Sequence, residues 1–178
     1  MKHHLNIIIL ALRAAIIFAT GMVMYYFGAA YRLITEDDPS LFKDFFASYF
    51  TPIAKNTIDG NNIWFGSAFC IIYGGLIIYA IVGITRLYRC LLRIEKGKMF
   101  YHTQADQFRK AGAAFIIFAK AKYILFITMG GVLYFDLKGF FTEIPAFLTV
   151  YLIGKFILLM AHMAEKGEYI QEENELTI

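Results

Sequence analysis

The sequence predicts an all-α integral membrane protein with four transmembrane helices and an external amphipathic helix between the first two spans. Hydrophobic residues make up 59% of the chain and charged residues only 17%, whereas ordinary globular chains carry about 25% charged residues. Four apolar stretches also reach the roughly 20 residues that a helix needs to cross a bilayer. A soluble domain of 178 residues would need far more polar surface than this chain offers.

The first apolar stretch, "LNIIILALRAAIIFATGMVMYYFGAAY", covers residues 5–31. It is longer than the apolar region of a cleavable signal peptide, and it runs into Tyr25, Tyr26 and Tyr31 instead of a small-residue cleavage site. We therefore expect this segment to remain in the protein as the first span.

The second element is predicted to be an external interfacial helix over about residues 39–51. Asp38 is a favourable cap, and Pro39 occupies the first helical position. An aromatic and aliphatic stripe follows at helical spacing, formed by Leu41, Phe42, Phe45, Phe46, Tyr49, Phe50 and Ile53. Because about 12–14 residues cannot span a bilayer, we expect a connector resting on the membrane, with a ligand lid as the alternative.

Three further spans complete a single membrane domain over residues 1–178. We predict them at about 63–85, 113–135 and 144–163. A basic segment, residues 86–112, joins the second and third spans, and an acidic tail, residues 165–178, follows the fourth.

The connections also predict the orientation of the chain. The basic segment, residues 86–112, contains seven Lys and Arg residues, whereas the loop at 32–62 contains three bases and five acids. Positive charge is retained on the cytoplasmic side of a membrane. We therefore expect the basic segment and both termini in the cytoplasm.

The basic segment and the acidic tail are candidate binding partners for each other or for a soluble protein. The segment has a net charge of +5, and residues 165–178 have −4 before the terminal carboxylate. One exposed ion pair contributes only about 0–1 kcal/mol, so several would be needed to hold the tail. The alternative is a solvated tail, with the basic residues facing anionic lipid. The candidate docking residues are Arg86, Arg89, Arg93, Lys98, Arg109, Glu172, Glu173, Leu176 and Ile178.

Four cations within or near the spans are candidates for binding an anion or lipid: Arg13, Lys120, Lys122 and Lys155. We expect the first three to extend their side chains to the inner interface. If the fourth span ends near Ala164, Lys155 lies about 13 Å inside the membrane from that end. This distance is too great for its side chain to reach the interface. No Asp or Glu falls within the predicted spans. Lys155 is therefore either a structural or lipid-facing residue, or part of an anion or ligand site.

Other chemical signals are weak. The four histidines show no carboxylate or thiol at metal-ligand spacing, and no phosphate-binding loop or nucleophile motif occurs. We therefore predict no catalytic residue, metal or cofactor, and the net charge of +3 gives no reason to expect direct nucleic-acid binding. Two sets of small residues, Gly66 with Cys70 and Gly74, and Gly130 with Gly131, predict close helix packing.

Two stretches resemble a known family. They are "IEKGKMFYHTQADQFRKAG" and "AEKGEYIQEENELTI", and they are similar to the bacterial membrane family called domain of unknown function 2975. The matching positions are Lys96, Gly97, Lys98, Phe100, Arg109, Gly112, Gly167, Glu172, Glu173, Leu176, Thr177 and Ile178. Glu175 departs from the pattern, since many relatives have Asp there. The resemblance implies four spans in a bacterial inner membrane and regulation or sequestration of a small helix-turn-helix regulator.

Two classes of function follow from these patterns. The favoured hypothesis is a non-enzymatic adaptor or regulator whose basic segment and acidic tail engage a soluble partner. The alternative is a lipid- or anionic-ligand-binding protein, a transporter component or an enzyme, using Lys155 and the inner basic residues. In either case the lipid bilayer is a partner, anionic lipid is a candidate ligand, and a homo-oligomer is left open.

Overall fold

Four long helices make up the computed structural model, which describes residues 2–35, 63–96, 103–134 and 138–176. The helices are α1 (Lys2–Thr35), α2 (Ile63–Glu95), α3 (Gln104–Tyr134) and α4 (Lys138–Leu176). Each is long and apolar enough to cross a membrane. The predicted all-α fold with four transmembrane helices is confirmed, and the chain is a multi-pass membrane protein.

The helices extend beyond the spans predicted from hydropathy. Most of the basic segment is helical, because α2 continues to Glu95 and α3 begins at Gln104. The fourth helix does not end near Ala164; α4 begins at Lys138 and continues to Leu176. The predicted external helix at 39–51 lies outside the described residues.

Consecutive helices pack against each other in chain order: α1 against α2, α2 against α3, and α3 against α4. The first pair is antiparallel, since Arg13 contacts Tyr88 near one end of the pair and the Phe27 ring lies beside Gly74 farther along. The middle helices α2 and α3 are the more buried, while α1 and α4 are the more exposed. Their exposed side chains are mostly large and apolar, as expected for surfaces that face lipid.

An aromatic cluster forms the core where α1, α2 and α3 meet. The Tyr26 and Tyr73 rings pack edge to face with centroids 4.7 Å apart, and the Phe69 and Phe126 rings do so at 5.5 Å. Such pairs add about 0.5–1.5 kcal/mol each beyond the area that they bury. The buried members of this cluster are Tyr26, Ala30, Leu33, Phe69, Cys70, Ile77, Phe126 and Met129.

Small residues form the second core, where α2, α3 and α4 meet. Its buried members are Cys90, Ala105, Phe108, Ala111, Ile157, Ala161 and Ala164. A Cβ atom added at Gly112 would lie 2.8 Å from the Gly154 carbonyl oxygen, so the backbones of α3 and α4 touch here. The absence of side chains at these glycines allows this close approach.

The small-residue prediction is therefore only partly matched by the packing. Cys70 is buried in the aromatic cluster, and an added Cβ at Gly74 would lie 3.1 Å from the Phe27 ring. An added Cβ at Gly131, in contrast, would have no atom within 4 Å. Closer helix contacts occur at Gly112 and Gly154, which these two small-residue patterns did not include.

Candidate functional site

One end of the helix array, here called the basic end, gathers most of the candidate site residues. It comprises the N-terminal parts of α1 and α3 and the C-terminal parts of α2 and α4. Arg13 contacts Tyr88 there, and Cys90 shares a buried cluster with Ala105 and Ala164. The fold therefore brings together the two halves of the basic segment and the start of the acidic tail.

An ion pair joins the basic segment to the acidic tail at this end. Arg109 Nη2 of α3 donates to both carboxylate oxygens of Glu165 of α4, at 3.3 and 3.2 Å. His162 Nδ1 lies 3.7 Å from the same carboxylate. The Arg109 and Glu165 side chains are 57% and 53% exposed, so water screens the pair and its contribution is at most about 1 kcal/mol.

The acidic tail is a helical continuation of α4. The helix has 39 residues and is about 58 Å long, whereas the hydrocarbon core of a bilayer is about 30 Å thick. Near its C-terminal end, Tyr169 and Ile170 are 62% and 57% exposed, and Glu173 is also exposed. Of the other candidate docking residues, Lys98, Ile178 and the side chains of Glu172 and Leu176 lie outside the described residues.

The candidate arginines of α2 lie in its last three turns. Arg89 and Arg93 are exposed and Arg86 is half-buried. Neither Arg86 nor Arg89 forms an ion pair with any residue that the structure describes. Cys90 faces the buried cluster with α3 and α4, so Arg89, the residue before it, lies on a different side of the helix.

Arg13 has a partner that its own surroundings in the sequence do not reveal. Its Nε donates to the Tyr88 hydroxyl at 2.7 Å, and its guanidinium carbon lies 5.4 Å from the centre of the Tyr88 ring. The contact connects α1 to α2 at the basic end. We predicted that the Arg13 side chain extends toward the membrane interface. The structure adds the Tyr88 hydroxyl as its hydrogen-bond partner.

Lys122 corrects a prediction. Its Nζ lies 3.0 Å from Glu143 Oε2, with the side chains 23% and 11% exposed, and 5.0 Å from the Phe126 ring centre. The ammonium is thus paired between α3 and α4 instead of extending to the inner interface. The prediction of acid-free spans missed Glu143 because α4 begins at Lys138, six residues before the predicted span.

Lys120 and Lys155 are both exposed on the helix surface. Lys155 Nζ lies 5.6 Å from the ring centre of Tyr151, one turn earlier in α4. Within the described ranges, no group of three or more His, Cys, Asp or Glu residues is placed to hold a metal ion.

A comparison with known families gives one match. The family model described as "Protein of unknown function (DUF2975)" matches residues 42–178, which is more than half of the chain and includes α2, α3 and α4. No curated protein and no solved structure matches the chain significantly.

Proposed function

The chain belongs to the DUF2975 family of proteins of unknown function, and on that premise we propose that it is a non-enzymatic membrane adaptor whose basic end binds a soluble protein. In this proposal the membrane is the bacterial inner membrane, and the basic end faces the cytoplasm. The excess of Lys and Arg between α2 and α3 supports this orientation, since positive charge is retained on that side.

The observation that carries the proposal is the helical extension of α4 beyond the length that lipid can cover. Tyr169 and Ile170 are neighbours on this extension and are mostly exposed, and Glu173 lies about one turn further on. Helices that dock in a groove of another protein do so through exposed apolar side chains, and here two such side chains lie among acidic residues.

Charge indicates which kind of partner fits the extension. The tail has five acidic residues against one lysine, and complementary charge favours a partner with a basic rim around its groove. Small DNA-binding regulators carry such basic surfaces. A small helix-turn-helix regulator is therefore the first candidate for the soluble protein.

The Arg109–Glu165 pair supports the same proposal. It lies where α4 leaves the helix array and holds the base of the extension against α3. Pre-ordering a binding element lowers the entropy lost when a partner docks. The pair therefore favours binding although it contributes little to the stability of the fold.

The alternative function, binding of a lipid or an anionic ligand, has one supporting observation. Lys155 is exposed on the lipid-facing surface of α4 with the Tyr151 ring beside it, and a lysine at such a depth is costly without a partner. Under this alternative, Lys155→Met abolishes binding of an anionic lipid or ligand, whereas removal of residues 167–178 leaves that binding intact.

Affinity purification from native membranes tests the adaptor proposal. Tagged full-length protein is compared with a chain ending at Lys166 and with the double variant Tyr169→Ser and Ile170→Ser. Ile34→Ser, an exposed apolar residue at the opposite end, is the matched control. We expect a stoichiometric soluble partner with the full-length and Ile34→Ser proteins, and at least tenfold less with the two altered tails.

Each altered protein must still elute as a monodisperse peak in detergent, which separates lost binding from lost folding. Equal recovery of the same partner by all four proteins would contradict the proposed site. Recovery of no soluble partner by the full-length protein would contradict the proposed function.

A further inference from the structure

The contact between Arg13 and Tyr88 lies far along α1 and α2 from the ends that Thr35 and Ile63 mark. Arg13 is 22 residues before the end of α1 at Thr35, a distance of about 33 Å along the helix. Tyr88 is 25 residues after the start of α2 at Ile63, which is about 37 Å. The hydrocarbon core is about 30 Å thick. With Thr35 and Ile63 in one headgroup layer, this contact falls in the other. On this placement the part of α1 inside the membrane begins near Arg13 and not at residue 5, where hydropathy had placed it.

Tyr88 holds the Arg13 guanidinium in one orientation. The Nε hydrogen is used by the Tyr88 hydroxyl at 2.7 Å, and the ring lies close to the guanidinium carbon. The two terminal nitrogens have no ion pair with a residue of the described ranges. An oriented guanidinium with its fork of donors unused suits bidentate binding of a phosphate.

Arg89 is a second cation at this level of α2. It is exposed and directly follows Tyr88, on a side of α2 away from the cluster that contains Cys90. The nearby acids at the basic end are engaged elsewhere: Asp106 with Lys110, and Glu165 with Arg109. Glu95 lies about two turns beyond Tyr88 along α2, roughly 10 Å away. The two arginines thus leave positive charge that a ligand can neutralise.

The surface on the membrane side of these arginines is apolar. Val82 and Ile78 are exposed and lie two and three turns from Arg89 on the same side of α2. Ile17 is exposed one turn from Arg13 on α1. A ligand that places an anionic group between the arginines therefore has apolar surface available for a hydrocarbon chain. Soluble anions cannot use such a surface.

From this geometry we propose that Arg13 and Arg89 bind the phosphate of an anionic phospholipid at the groove between α1 and α2, with Tyr88 positioning Arg13. The acyl chains lie along the exposed apolar residues of the two helices. This site is separate from the protein-binding extension of α4, so either proposal stands if the other fails.

Native mass spectrometry of the full chain measures the bound lipid directly. The protein is released from nanodiscs of phosphatidylcholine with 10–30% phosphatidylglycerol, on the order of natural anionic content, and retained phosphatidylglycerol is counted. Arg13→Gln, Arg89→Gln and Tyr88→Phe are compared with Lys166→Gln. This control removes one exposed charge from α4 at the same end.

We expect one retained phosphatidylglycerol per chain, with at least about fivefold weaker retention in Arg13→Gln and Arg89→Gln, since a basic residue at this depth gains about that factor from anionic lipid. Tyr88→Phe keeps every charge and should also weaken retention. Lys166→Gln should bind like the unaltered protein. If Arg13→Gln, Arg89→Gln and Lys166→Gln weakened lipid retention equally, the lipid would be attracted by net charge and not by a site. That result, or unchanged retention in Tyr88→Phe, would overturn the proposal.

Two further arms separate sources of error. Inorganic phosphate at millimolar concentration should not displace the lipid; displacement at that level would assign the site to a soluble anion and overturn the proposal. Circular dichroism and size-exclusion chromatography establish that each variant is folded. If Arg13→Gln is not folded, lipid retention by Arg89→Gln tests the proposal, since Arg89 is exposed and its replacement should not affect folding.

Discussion

At the scale of single residues, the pair of Lys122 and Glu143 shows how two charges are accommodated between helices that are long and apolar enough to cross a membrane. An unpaired ammonium or carboxylate in hydrocarbon is costly. The Lys122 and Glu143 side chains are mostly buried, with exposed fractions of 23% and 11%. The pair cancels both charges, and the Phe126 ring lies against the ammonium. Neither residue alone would be tolerated at this place as well as the two together.

This argument predicts unequal effects of single and double replacement. Glu143→Leu leaves Lys122 charged and without its partner, so we expect the free energy of unfolding to fall by about 3 kcal/mol. The double variant Lys122→Met with Glu143→Leu removes both charges and should lose less than the single variant. Thermal or denaturant unfolding in detergent measures both. A double variant as unstable as the sum of the two single variants would refute a direct interaction.

At the scale of helices, the contact between α3 and α4 is set by two glycines. An added Cβ at Gly154 would meet Ile116 Cγ1 at 2.8 Å and the Gly112 carbonyl oxygen at 3.0 Å. Backbone atoms on both sides leave no flexible group that can move aside. The helices therefore have to separate when either glycine gains a side chain, and the buried cluster beside them loosens.

Gly112→Ala should accordingly destabilise the protein by about 1–3 kcal/mol, the usual cost of overpacking. Gly131→Ala is the matched control in the same helix, because an added Cβ there has no atom within 4 Å; it should be neutral or slightly stabilising, since alanine favours helix. The midpoint of thermal unfolding in detergent distinguishes the two. Similar losses in both variants would show that the close contact is unimportant.

The same scale explains why the acidic tail is part of α4. Residues 164–176 are rich in Glu, Lys and Gln, which are good helix formers. The residues before them already form a helix, so no new nucleation is needed to extend it. Hydropathy detects where a helix leaves lipid and not where it ends. The predicted span therefore stopped about two turns past Lys155, whereas the helix continues to Leu176.

At the scale of the whole molecule, the distribution of charge predicts one orientation. With Cys70 and Cys90, both buried, replaced by Ala, single cysteines are introduced by Thr35→Cys or Tyr169→Cys. A membrane-impermeant thiol reagent should label Thr35→Cys in intact cells and Tyr169→Cys only after permeabilisation. The seven basic residues of the segment 86–112, which includes the C-terminal end of α2 and the N-terminal end of α3, resist translocation. The reverse labelling pattern would invert the orientation and move the proposed protein-binding surface outside.

The sequence by itself determined the four membrane-crossing helices and the family. A bilayer demands about 20 apolar residues per span and internally satisfied backbone groups, so hydropathy is sufficient for these features. The tertiary structure alone decided which side chains meet: Arg13 with Tyr88, Lys122 with Glu143, and Gly112 with Gly154. These contacts depend on the rotation and register of neighbouring helices. Rotation and register are set by the way in which side chains of two helices interdigitate. The sequence pattern of one helix does not show which residues of the other helix it will meet.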